Sequence, residues 1–394
     1  MATASVLLAV VSVLHPVLHA PTETLLGSPR SEGPGHFWGL WVAAEGLWTH
    51  GPFVRVTDRV TAPTGFRSDM ADPLHSVAFW VFWTLGGRGV SAGAFAWNML
   101  YASTVGLAGL GGWKLARCFL PAGPGALVAA TACAASPYLL QSDLLGRTEY
   151  LAGAWYPLHL AFLYRHLGPD GRRMDTVLAV VTLVALTMAG WCQATWIAMV
   201  EIPLALLFSR RMPSVRSQVV GILQVALPAL LVGAVGIRAA LAESPEWAMD
   251  QWSTRIRGVP LTLGFFFPWL FEKGLTVGAV EIPPYPGLVL LVVASLAVVR
   301  VPRKAGPWLG LAAVLLCFAM GPTIALGLDD TAATIAGPAA WASELPVLGR
   351  VSSWYRLAVF LGMPLGMAAA WGVHHWSRTA PRLAAAACLV IVPG

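Results

Sequence analysis

Ser31-Glu32-Gly33-Pro34-Gly35-His36-Phe37-Trp38-Gly39-Leu40-Trp41 is the run on which the reading of this chain turns. It lies within a polar stretch from Thr22 to Asp72 that carries Glu23, Glu32, Glu45, Asp58, Asp69 and Asp72, with His36, Trp38, Trp41, Trp48 and His50 between them. This is the longest part of the chain without a segment apolar enough to cross a bilayer, and it directly follows a first apolar segment, residues 2–20. Outside it the chain is built very differently. Of 394 residues, 57% are hydrophobic and only 11% charged, and the mean hydropathy is +0.68. Soluble domains carry roughly a quarter charged residues, so the composition excludes that class. Repeated apolar runs make the chain an all-α polytopic membrane protein.

Downstream, the apolar segments fall at residues 92–115, 123–140, 150–164, 176–191, 194–208, 219–241, 287–299, 306–326, 355–374 and 381–392. Charge sidedness orders them. One set of short connections holds Lys114, Arg117, Arg165, Arg172, Arg173, Arg210, Arg211, Arg216, Arg300, Arg303, Lys304, Arg378 and Arg382, accompanied only by Asp170 and Asp175. The opposite set holds the acids of the first stretch together with Asp143, Glu149, Glu243, Glu246, Asp250, Glu272, Glu281, Asp329, Asp330 and Glu344. Positive-inside logic puts the N-terminus in the cytoplasm and the acid-bearing loops outside. This alternation holds only if the short apolar segment 73–86 does not cross, so that segment reads as an interfacial or re-entrant helix. The expected architecture is one transmembrane domain, 1–394, of about eleven spans. Its outer loops are 21–91, 141–149, 242–286 and 327–354.

Several functional classes fall away. The formal charge of +6 is spread over short hairpins, without the basic stripe that nucleic acid requires. The 18 Trp residues suit the headgroup belts of a membrane protein. The five Cys residues have neither metal-site nor disulfide spacing and read as packing residues. Residues 2–20 lack a basic leader and are interrupted by His15, Pro16 and His19, which favours a retained first helix over a cleaved signal. No internal repeat of a secondary transporter is visible. The sequence stops at Gly394 straight after an apolar run, an ending that reads as a truncation.

Two outer clusters are the candidate chemistry. The first is the opening run, where an acid, a histidine and an aromatic stripe that would lie flat on the membrane follow the first helix. The second is Asp143-Leu144-Leu145-Gly146-Arg147-Thr148-Glu149-Tyr150, a turn with three charges against the next apolar segment. Charge beside the hydrocarbon slab is costly unless paired or functional. Glu201, two residues before Pro203, is the acid at membrane depth; it is either functional or paired with a backbone group that Pro203 frees. There is no HExxH and no Cys/His spacing for a metal. A divalent cation (Mg or Mn) held by carboxylates stays open as the one cofactor.

The acid after the first helix, the acid of the second outer turn and the interfacial helix of the first loop resemble the GT-C-type polytopic glycosyltransferases, most of all a bacterial GT-C-like branch. The likeness runs through Glu32…His36…Trp38…Trp41, Ala62-Pro63-Thr64-Gly65, Trp97-Asn98, Gly146…Glu149…Trp155…Pro157-Leu158, Pro284-Tyr285-Pro286-Gly287 and Leu348-Gly349-Arg350…Trp354-Tyr355-Arg356. It covers nearly the whole chain. What it implies is an inverting transfer of a sugar from a polyprenyl-phosphate donor to a glycan, lipid or protein acceptor at the outer face of a bacterial inner membrane.

The resemblance also implies roles. A carboxylate near the acceptor supplies the general base: Glu32 stands at the first-loop acid position, where Asp is more usual, with Asp69 and Asp72 as alternatives. Glu149 or Asp143 stands at the second-loop acid position. Arg147, Arg350 and Arg356 are the candidates for holding the leaving phosphate by bidentate pairing, and His36, Tyr285 and Tyr355 complete the substrate-side set. Plainer readings exist for each: Arg356 snorkelling to the interface, Arg147 pairing with Glu149, His36 packed among aromatics. Two rival functions are a transporter or flippase for a lipid-linked or anionic substrate, and an inactive scaffold of the same fold.

Overall fold

The structure is a computed structural model that describes residues 7, 10–11, 14–27, 33–50, 56–57, 66–67, 73–136, 139–140, 148–189, 194–243, 287–325, 334–344 and 354–391. Apolar segments in a bilayer must satisfy their backbone groups internally, which helices do. After a 3-10 turn at His15–Val17 the helices are α1 (Gly33–His50), α2 (Pro73–Leu85), α3 (Val90–Arg117) and α4 (Pro124–Ala134). A 3-10 segment, Thr148–Ala154, leads into α5 (Tyr156–His166), α6 (Arg173–Ala189), α7 (Ala194–Ser209) and α8 (Val215–Glu243). Then come α9 (Leu288–Arg300), α10 (Pro302–Ala319), the short α11 (Ala340–Ser343), a 3-10 segment at Trp354–Phe360, α12 (Gly362–Thr379) and α13 (Pro381–Ile391). Two small antiparallel ribbons interrupt the helices: β1 (Val56–Thr57) with β2 (Phe66–Arg67), and β3 (Thr323–Ala325) with β4 (Thr334–Ala336).

Four elements differ from the sequence reading; in one, the segment expected at 306–326, the helix α10 ends at Ala319 and residues 323–325 form β3. Residues 33–41 of the opening run, read as loop with an aromatic stripe flat on the membrane, form the first turns of an 18-residue helix, α1. Pro34 lies in that first turn, where its missing N–H is not needed. The segment expected at 150–164 is broken at Trp155, because Pro157 is placed in the first turn of α5 and the preceding residues wind as a 3-10 helix. The segment expected at 355–374 breaks in the same way, with a 3-10 stretch to Phe360 before α12. Among the described residues two helical stretches are long and apolar enough to cross a membrane by length and composition, Val215–Val232 and Leu357–Thr379. Shorter apolar helices lie at Pro124–Ala134, Val200–Ser209 and Leu288–Arg300. The architecture of the described residues is all-α. Leucines such as Leu223, Leu227, Leu230 and Leu231 along α8 are more than half exposed, a surface that suits lipid rather than water.

The chain divides into two compact units: residues 1–118 with 139–242, and residues 119–138 with 243–394. In the first unit α3 is the centre, packed by α2 and α5, with α1 against α2, and α6 against α2 and α5; the 3-10 segment Thr148–Ala154 touches α3, α5 and α6. Gly111 permits the closest of these approaches, since a Cβ there would lie 2.7 Å from the Leu158 nitrogen. In the second unit α12 is the centre, ringed by α4, α9, α10 and α13. Small residues let those backbones come together: a Cβ on Gly372 would lie 2.5 Å from the Ala297 Cβ.

Candidate functional site

The entrance to the polar stretch is fixed by one asparagine. Asn98 is buried in α3, and its amide nitrogen donates to the carbonyls of Pro21 (2.9 Å) and Thr24 (2.8 Å) while its oxygen accepts from the Leu26 N–H (2.8 Å). Trp97 beside it donates its indole N–H to the Leu26 carbonyl at 2.7 Å. Residues 21–26 have no helix or strand of their own, so their backbone groups need outside partners. Two adjacent side chains of α3 supply them.

Seven residues further on, α1 begins, and its first turns are held by aromatic packing. The Phe37 ring stands edge-on to Trp97 (5.7 Å between centroids) and to Phe79 of α2 (5.9 Å), with Trp41 tilted beside it at 6.3 Å. Gly93 of α3 leaves the room: a Cβ there would approach the ring to 3.1 Å. Trp97 is in turn edge-on to Tyr101. Part of the aromatic stripe therefore packs between helices of this unit. The indole N–H of Trp41 is buried without a hydrogen-bond partner among the described residues.

With Phe37 seated, His36 is 5% exposed and its Nδ1 lies 3.1 Å from the Thr148 hydroxyl. Thr148 is fully buried at the start of the 3-10 segment that contains Glu149. One residue of the first polar stretch and one of the Asp143–Tyr150 run, 112 residues apart in sequence, meet at this hydrogen bond. His36 is therefore a packed histidine that also links the two candidate clusters. Neither Thr148 nor the pairing was readable in the sequence.

The other predicted site residues divide in two groups. Glu149, Tyr355 and Arg356 lie on the backbones of the 3-10 segments Thr148–Ala154 and Trp354–Phe360. Glu32, Asp69, Asp72, Asp143, Arg147, Tyr285 and Arg350 lie outside the described residues. Among the described residues no group of three or more His, Cys, Asp or Glu side chains is placed to hold a metal ion. The carboxylates named for a divalent cation are mainly in the segments outside them.

Glu201 has a partner that sequence reasoning did not name. Its Oε1 lies 2.7 Å from Nε2 of His159, with the histidine side chain fully buried and the glutamate 13% exposed. The far side of the ring, Nδ1, faces the Ala179 carbonyl at 3.1 Å and the Thr182 hydroxyl at 3.2 Å. A carbonyl only accepts, so Nδ1 donates to it and one proton lies between Nε2 and Oε1, whichever group holds it. The pair thus joins α5, α6 and α7 without bringing net charge among them. The signal available in the sequence was that Glu201 and His159 each lie within an apolar segment, where a polar group needs a partner.

No protein-family model matches the chain, and no curated protein is similar to it in sequence. Solved structures do resemble it. The archaeal oligosaccharyltransferase AglB from Archaeoglobus fulgidus, in complex with an inhibitory peptide and a dolichol-phosphate, aligns at a TM-score of 0.54 and 11% identity over 99% of this chain. ArnT from Cupriavidus metallidurans, bound to undecaprenyl phosphate, aligns at a TM-score of 0.47 and 16% identity over 97%. This chain spans 54% of the AglB chain and 62% of the ArnT chain. By its likeness to AglB, the fold of this chain is GT-C-like.

Proposed function

We propose that this protein is a membrane glycosyltransferase that moves a sugar from a polyprenyl-phosphate donor to an acceptor hydroxyl or amide at the extracytoplasmic face. The observation that carries the reading is the hydrogen bond between His36 and Thr148. It joins the two acid-bearing outer stretches in a fold like that of AglB, a protein seen with a dolichol-phosphate. Chain connectivity keeps Glu32 four residues from His36 and Glu149 next to Thr148, which supports a shared site for the two carboxylates.

In this reading Glu32 takes the acceptor proton, with Asp72 or Asp69 as the alternative base. The acceptor then attacks the anomeric carbon, and the bond from that carbon to the phosphate oxygen breaks with its electron pair going to the phosphate. The configuration inverts. Arg147, Arg350 and Arg356 meet the departing polyprenyl phosphate by bidentate pairing, while Asp143, Glu149, Tyr285 and Tyr355 position the reactants. A divalent cation (Mg or Mn) would be held by these carboxylates. The setting is a bacterial inner membrane with about eleven spans and a cytoplasmic N-terminus.

The test is transfer from a radiolabelled lipid-linked sugar pool in membranes containing the full chain. Glu32→Gln should lower transfer by about 100-fold or more with insertion unchanged; transfer at the original rate removes Glu32 as the base. A transporter reading draws on the buried His159–Glu201 pair. Movement of lipid-linked substrate across proteoliposomes with no covalent product would favour that reading over transfer.

A further inference from the structure

At the opposite end of the first unit from the acid-rich loops in the sidedness reading, the ends of α3 and α5 and the connections after α5 and α7 enclose a cleft of about 590 Å3. That is the size range of small-molecule sites, ~300–1,000 Å3. Its charged lining is Lys114, Arg117, Arg165, Arg172 and Arg211, against Asp170 alone. Asp175 takes up Arg165 at 3.1 Å from just outside the cleft, leaving a surplus of positive charge. Cys118 also lines it, and burial pushes that thiol up to about 11, so it adds no negative charge at neutral pH.

The arginine best prepared for an anion is Arg211. Its guanidinium lies over the Tyr164 ring at 3.8 Å and donates one N–H to the Tyr164 carbonyl at 2.7 Å. Stacking and that bond fix the plane of the fork while leaving further N–H groups for an acceptor. Gly168 makes the space, since a Cβ there would lie 2.9 Å from the guanidinium. The wall before Arg117 and Arg165 along the helices is apolar, with Leu110 and Trp113 on α3 and Phe162 on α5. Cationic groups next to an apolar wall at helix ends fit a molecule that is phosphate at one end and hydrocarbon at the other.

We propose that this cleft binds the phosphate headgroup of an anionic membrane lipid, with Arg211 and the Lys114, Arg117 and Arg172 rim taking the phosphate and Leu110, Trp113 and Phe162 meeting the first methylenes. The proposal rests on the membrane character of the chain and not on the transferase reading, so either can fail alone.

The full chain in detergent is titrated with phosphatidylglycerol or phosphatidylcholine, and bound lipid is counted by native mass spectrometry. Phosphatidylglycerol should bind at least about tenfold more tightly than phosphatidylcholine. The triple variant Lys114→Gln, Arg117→Gln, Arg172→Gln should lose most of that preference, whereas Arg173→Gln, Arg210→Gln, Arg216→Gln, which removes equal charge outside the cleft, should keep it. Equal binding of the two lipids, or an undiminished preference in the cleft variant, overturns the proposal. Displacement of phosphatidylglycerol by millimolar pyrophosphate would assign the cleft to a free phosphate compound and overturn the lipid assignment. Should the cleft variant not fold, the unaltered chain still decides: phosphatidylglycerol but not phosphatidylcholine should slow alkylation of Cys118, read by peptide mapping, and equal rates in both refute the site.

Discussion

In the first unit Asn98 holds three backbone groups of residues 21–26, His36 meets Thr148, and His159 joins Glu201 to the α6 backbone. In the second unit the hydroxyls of Thr131, Ser377 and Thr379 bond back to carbonyls of their own helices. There the contacts of α4 and α9 with α12 depend instead on missing side chains. A Cβ on Gly125 would lie 2.5 Å from the Ala370 carbonyl oxygen, and one on Gly366 2.7 Å from the Ala132 Cβ. The difference teaches where function can sit. Helices held by van der Waals contact between small residues need no polar group in the interface. Segments held by asparagine, histidine and glutamate place hydrogen-bonding groups at defined positions, as a site with irregular loops requires.

The comparison breaks first at Asn98. Asn98→Ala strands two carbonyls and one N–H of residues 21–26, so a loss of about 3 kcal/mol or more is expected. Limited proteolysis of the full chain should show cleavage within residues 21–26 while the second unit stays resistant. Early cleavage in both units would mean that the polar contacts are not specific to the first. Next in size is Gly372→Ala, expected to cost about 1–3 kcal/mol through overpacking against Ala297. Thermal unfolding in detergent should fall while the first unit keeps its protease resistance; an unchanged midpoint would show that α9 and α12 can slide apart freely.

The smallest effect concerns the cationic end of the first unit and carries no stability change. Burial raises the Cys118 thiol from 9.0 to about 11. The reactive thiolate is the deprotonated form, so raising the pKa lowers its share at every pH below about 11. Alkylation of Cys118, followed by peptide mapping, should keep climbing between pH 9 and pH 11, with about 100-fold less thiolate at pH 8 than an ordinary cysteine has. A plateau near pH 9 would mean an open, solvated cleft.

Much of the helical architecture is legible in the sequence. Helix positions follow from runs of apolar residues, and the observed helices α3, α6, α7, α9 and α13 begin and end within a few residues of the expected segments. The breaks at Trp155 and before Gly362 were missed because an apolar window does not register a change from 3-10 to α winding. Helix α1 was missed because its glycines, Pro34 and tryptophans look like loop and interface; buried Leu40, Ala43 and Ala44 and the seat of Phe37 hold it. At the candidate site the sequence named His36 and the Trp97-Asn98 pair, but not that Asn98 anchors residues 21–26 or that His36 reaches Thr148.

What the residues determined by themselves was the class of protein: composition and charge sidedness are sums along the chain, and a bilayer reads them without regard to which helix touches which. Only tertiary packing decided the pairings. Glu201 could have turned to a backbone group near Pro203 and instead took His159, and His36 and Thr148, far apart in sequence, met in one hydrogen bond. Such choices depend on distances between helices, which a one-dimensional pattern does not contain.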